Sequence, residues 1–87
     1  MGSVMHWPLE ALRAAHPRTL SSVNGRANLL SDQGKYDDAE PLYQRAIEGY
    51  EAALGAAHPR TLSSVNGLAN LLSDQGKYDD AEPLYRR

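Results

Sequence analysis

The feature that most constrains this chain is an internal repeat. Residues 14–45 read AAHPRTLSSVNGRANLLSDQGKYDDAEPLYQR, and residues 56–87 read AAHPRTLSSVNGLANLLSDQGKYDDAEPLYRR. The two segments are offset by 42 positions and differ only at Arg26 against Leu68 and at Gln44 against Arg86. A period of this length is typical of solenoids, in which each unit buries its apolar face against the next one.

Each unit contains two helical patterns. In the first unit, apolar residues recur three and four positions apart over about 17–33 and again over about 37–54, which predicts two amphipathic helices. Gly34 and Gly55 follow these segments and predict helix ends. The links are so short that consecutive helices must be antiparallel neighbours. The sequence therefore predicts an all-α fold of stacked antiparallel helix hairpins.

The repeat frame also predicts how the chain is divided. Residues 14–55 form the first repeat, and residues 56–87 form the second repeat, with helices at about 59–75 and about 79–87. The second helix of the second repeat is shorter than its counterpart in the first. Residues 1–13 are expected to contain a tag-like segment and the end of the second helix of a preceding repeat, because Leu12 aligns with Leu54.

The residues around the first turn resemble a known family. The segment ANLLSDQGKYDDAEPLYQRAI, residues 27–47, is similar to the tetratricopeptide repeat signature in its small residues at Ala27, Ala39 and Ala46 and its aromatic Tyr43. The 42-residue period resembles the variety found in kinesin light chains. This resemblance implies a tetratricopeptide-like solenoid fragment whose partners are proteins or extended peptides.

Composition and motifs exclude several function classes. The net charge is −2 and the nine Lys and Arg residues are dispersed, so we expect no nucleic-acid partner. No apolar run approaches the ~20 residues of a membrane span, and there is no Cys and no secretory signal pattern, so we expect a cytoplasmic protein without a membrane partner. His16 and His58 could suggest catalysis or metal binding, but their place before a proline at a helix start favours a capping role. We predict no enzyme activity, no cofactor and no metal site.

The first hypothesis for function is a protein-interaction scaffold. The first helices of the two repeats would line a concave polar groove, whose amide and hydroxyl groups could bond an extended peptide. The predicted groove residues occupy equivalent positions in the two repeats: Ser21, Asn24, Asn28, Ser31 and Asp32, and Ser63, Asn66, Asn70, Ser73 and Asp74.

The alternative hypothesis is a structural, self-assembling repeat chain, engineered or truncated, that forms a homo-oligomer end to end or by exchange of terminal helices. Solenoid ends without polar caps expose apolar surface. The predicted interface joins an N-terminal group with a C-terminal group: Met5, Trp7, Leu9 and Leu12, and Leu68, Leu72, Leu84 and Tyr85. Arg26, which stands where the second repeat has Leu68, is expected to cap the N-terminal face in part.

Overall fold

A computed structural model describes residues 16–87, which form four α-helices. These are α1 (Pro17–Asp32), α2 (Tyr36–Leu54), α3 (Pro59–Asp74) and α4 (Tyr78–Tyr85). Each helix contacts the next one along the chain, and α1 also touches α3. The arrangement confirms the predicted all-α fold of packed helix hairpins.

Local sequence explains where the first helix of each hairpin starts. The side chains of His16 and His58 cap α1 and α3, because each Nδ1 accepts a hydrogen bond from the backbone N–H of Arg18 (3.2 Å) or Arg60 (3.1 Å). A proline follows each histidine at the first helical position, where a missing N–H costs nothing. The histidine side chains therefore stabilise the starts of α1 and α3.

Glycines in the left-handed conformation end three of the helices. Gly34 and Gly76 have φ values of 78° and 81°, and Gly55 has a φ of 98°. The N–H groups of the residues next to Gly34 satisfy the last carbonyls of α1, with Lys35 donating to Leu30 at 2.8 Å. These capping bonds explain why α1 ends at Asp32, one residue before the predicted end.

The main core lies where α2 of the first repeat packs against α3 of the second repeat. Tyr43 is 2% exposed and belongs to one buried cluster with Leu71 and Leu72, while Leu20 and Tyr50 form a second cluster within the first hairpin. Small residues allow the close approach: a Cβ atom added at Gly67 would lie 2.7 Å from Cε1 of Tyr43. The glycine in α3 thus provides the space that the tyrosine ring of α2 occupies.

The structure corrects two of the predicted interface positions. Leu68 and Leu72 are each 7% exposed and lie in the core of the chain itself. Their cluster includes Tyr43 and Ile47 of α2, so both side chains are buried by the chain's own helices. Met5, Trp7, Leu9 and Leu12 lie outside the described residues.

Candidate functional site

A polar depression of about 620 Å³ lies across the two repeats. Residues of all four described helices line this depression, which we call the polar groove: Asn28, Ser31, Asp32, Tyr43, Gly67, Asn70, Ser73, Asp74 and Tyr85. Six of the ten residues predicted for peptide binding are among them. The helical spacing of three and four positions places these six on one face of α1 and α3.

The other four predicted residues lie elsewhere. Asn24 is half-buried, and its Oδ1 accepts a hydrogen bond from the Ser64 hydroxyl at 2.9 Å, so its side chain joins the two repeats. Ser63 and Asn66 line a separate depression near the C-terminal helix. Ser21 is exposed and lines neither depression.

Two tyrosines hold the asparagines of the polar groove. The Tyr43 hydroxyl donates to Oδ1 of Asn28, and the Tyr85 hydroxyl donates to Oδ1 of Asn70 at 2.5 Å. The same tyrosine–asparagine hydrogen bond therefore occurs in each repeat. Within residues 16–87, neither asparagine uses its Nδ2 group in a hydrogen bond to another side chain, so both amides keep their donors for a ligand.

The environment of Tyr43 keeps its phenol protonated. Burial raises the pKa of Tyr43 above its ordinary value, the nearby Asp32 carboxylate raises this pKa further, and the Ser31 hydroxyl partly offsets the rise. A neutral phenol is a hydrogen-bond donor, so the carbonyl oxygen of Asn28 is its natural acceptor.

The charge of the polar groove is negative. Asp32 and Asp74 are exposed at equivalent positions, and none of the lining residues is Lys or Arg. Carboxylates at the mouth of a depression attract cations and repel acidic ligands. The groove can therefore offer amide donors to a backbone and negative charge to basic side chains.

Sequence reasoning missed the tyrosines and Gly67 as groove residues. It used Tyr43 only as part of the repeat signature and placed Tyr85 in the predicted self-association interface, and it gave neither hydroxyl group a role in the groove. The available signal was the presence of a tyrosine at the same position of each repeat. A tyrosine on a buried face usually has a partner for its hydroxyl.

Two further features of residues 16–87 bear on function. Among residues 16–87, no group of three or more His, Asp or Glu side chains is arranged to hold a metal ion. None of the helices described is both long and apolar enough to cross a membrane.

The comparisons with known proteins agree with the geometry. The search of curated proteins gave no match. The sequence model described as tetratricopeptide repeat matches residues 18–87, which takes in the four described helices except Pro17, the first residue of α1. Such repeats are generally non-catalytic scaffolds that bind proteins or peptides. The helix hairpins, the small residues between them and this match together show that the chain belongs to the tetratricopeptide repeat family.

Proposed function

We propose that this chain is a protein-interaction module whose polar groove binds an extended peptide that carries basic side chains. The observation that carries the proposal is the repeated pair of asparagines, each held by a tyrosine and each close to an aspartate in the same depression. This arrangement matches the needs of an extended backbone, which presents carbonyl acceptors at regular intervals.

The asparagines would provide the hydrogen bonds. The Tyr43 and Tyr85 hydroxyls donate hydrogen bonds to the side-chain oxygens of Asn28 and Asn70. The Nδ2 groups of both asparagines can therefore donate to peptide carbonyls. The amide geometry exists before the ligand arrives, so less side-chain entropy is lost on binding. Each such bond contributes about 1 kcal/mol, so two repeats support weak binding.

The aspartates would select the ligand. Asp32 and Asp74 are exposed, and exposed ion pairs contribute only about 0–1 kcal/mol each. Their main effect is therefore discrimination between basic and acidic peptides, and this discrimination should fall with added salt because of screening.

Peptide arrays of matched basic, neutral and acidic extended sequences would test the proposal, followed by fluorescence anisotropy on the best binders. We expect basic peptides to bind, the Asn28→Ala/Asn70→Ala double variant to lose most of the affinity, and Asp32→Asn/Asp74→Asn to lose the preference for basic peptides. Gln44→Ala, on an exposed position of α2 outside the groove, is the matched control. Equal binding of acidic peptides, or an unaffected asparagine variant, would refute the proposal.

A second candidate function is self-assembly without a ligand. In the first hairpin Leu20 is buried with Ala46 and Tyr50, whereas its equivalent Leu62 is only half-buried and lines an apolar depression of about 340 Å³ with Val65 and Leu84. The depression lies beside the C-terminal helix. The predicted N-terminal interface residues, Met5, Trp7, Leu9 and Leu12, remain the proposed occupants from a second chain.

We also propose that the chain belongs to the kinesin-light-chain-like variety of the family, which the 42-residue period supports. A cytoplasmic location and the lack of enzymatic activity stay predictions, and neither is needed for the peptide-binding test.

A further inference from the structure

Two exposed helix faces in this chain are copies of two faces that already pack together inside it. The internal contact is between α2 and α3, where Tyr43 and Leu71 are 2% and 0% exposed and lie in one cluster. Because the repeats are nearly identical, α1 carries the counterpart of the α3 face, and α4, which corresponds to Tyr36–Tyr43, carries the counterpart of the N-terminal part of the α2 face. Each exposed face therefore has a known complement.

The face of α1 is open where the face of α3 is filled. Leu29 is 57% exposed, while its equivalent Leu71 is fully buried. A Cβ atom added at Gly25 would meet nothing within 4 Å, while one added at the equivalent Gly67 would lie 2.7 Å from the Tyr43 ring. The slot that receives a tyrosine ring in the second repeat is thus not filled in the first by any side chain of residues 16–87.

The face of α4 carries the side chains that fit such a slot. Tyr78 and Tyr85 are 68% and 49% exposed, although their equivalents Tyr36 and Tyr43 pack into the core of the chain. Large exposed aromatic side chains on one helix face are typical of an interface.

We propose that a second copy of this chain docks its α1 face on α4, so that Tyr85 of one copy enters the Gly25 slot of the next and contacts Leu29. The inference rests on the self-assembly candidate above and assigns its interface. The contact is heterologous, because different faces meet, so it propagates into a ring or a filament. It would also extend the polar groove, since the internal Tyr43 remains bonded to Asn28 while its ring lies against Gly67.

Charge at this interface makes it weaker than its internal template. Arg26 stands where α3 has Leu68, and a charged head must stay near water while only its aliphatic stem covers apolar surface. The first turn of α4 carries Asp79 and Asp80, whose negative charges attract the arginine and favour approach of the two copies without adding much affinity. Because the arginine head must stay near water, Arg26 should still limit association.

Sedimentation equilibrium of the 87-residue chain over a concentration series tests the interface with two substitutions. Gly25→Ala places a Cβ in the empty slot and should weaken association about tenfold, a usual loss when a central interface aromatic is displaced. The same change should leave the fold intact or stabilise it, since the added atom meets nothing within 4 Å in the single chain. Arg26→Leu restores the residue of the internal template and should strengthen association.

Two controls separate the interface from general effects. Gln44→Ala is an alanine substitution on an exposed part of α2, and Arg45→Leu adds the same apolar side chain to that helix; neither should change the average mass. Average masses that stay monomeric at every concentration would overturn both the self-assembly candidate and this interface. If the chain associates but neither Gly25→Ala nor Arg26→Leu changes its association, this interface alone would be overturned, and self-assembly would have to use another surface.

Discussion

The strongest prediction uses the same substitution at two equivalent positions. Gly25→Ala and Gly67→Ala both replace a glycine inside the first helix of a repeat, and the flanking residues differ only at Arg26 against Leu68. A Cβ at Gly67 would lie 2.7 Å from Cε1, 3.1 Å from Cζ and 3.3 Å from the hydroxyl oxygen of Tyr43. The tyrosine cannot retreat easily, because its ring is buried and its hydroxyl is bonded to Asn28.

The magnitude follows from two opposing effects. Replacing a helical glycine by alanine gains about 1 kcal/mol of helix propensity at either position, whereas overpacking a core costs about 1–3 kcal/mol. Gly25→Ala should therefore stabilise the chain by up to about 1 kcal/mol, and Gly67→Ala should destabilise it or leave it unchanged. Propensity cancels between the two variants, so the gap between their unfolding free energies reports the overpacking cost, about 1–3 kcal/mol.

Urea denaturation followed by circular dichroism would measure this gap, at a protein concentration where the chain is monomeric. Thermal unfolding should show the same order, since 1 kcal/mol shifts Tm by roughly 4–8 °C for a domain of this size. Equal stabilisation by both alanines would refute the reasoning, because it would mean that the Tyr43 ring does not occupy the space beside Gly67. The m-values should agree within error, which would confirm that both variants unfold from the same compact state.

Three further predictions concern stability. Leu71→Ala should cost about 2–5 kcal/mol of unfolding free energy as a buried truncation, whereas Leu29→Ala at the exposed equivalent should cost within about 0.5 kcal/mol; equal costs in urea denaturation would contradict the assigned environments. Gly34→Ala should destabilise by about 1 kcal/mol in the same assay, because its φ of 78° is unfavourable for a residue with a Cβ. The raised pKa of Tyr43 means that the folded chain holds the phenol proton more tightly, so stability should fall as the pH rises above 10.0; Tyr43→Phe should show a shallower fall, and an identical slope would argue against the shift.

Much of the fold followed from the sequence because the signals agreed with each other. The repeat gave the period, the apolar spacing predicted the helices, and the glycines predicted their ends. Gly34 and Gly55 do adopt positive φ values after α1 and α2. Boundaries differed by one or two residues, as at Tyr78, where α4 starts one residue earlier than predicted.

The groove was predicted less well because its geometry depends on contacts between helices. Periodicity assigned Asn24 and Asn28 to the same face, yet Asn24 bonds Ser64 across the repeats and Asn28 bonds Tyr43. A spacing rule places a residue on a face but does not say which neighbour meets it there. Only the packed helices show which asparagine amides join the repeats and which are available to a ligand.

The interface positions show why identical residues in this chain have different roles. Leu29 and Leu71 occupy the same position of the repeat, yet one is 57% exposed and the other fully buried. In a solenoid each unit contacts only its neighbours, so the environment of a residue is set by what lies beside its unit. The sequence marks this difference at one place only, by Arg26 against Leu68, since a charge is tolerable on an open face and costly in a buried one. That single substitution is therefore the sequence's own indication of which face of the chain meets solvent or a second copy.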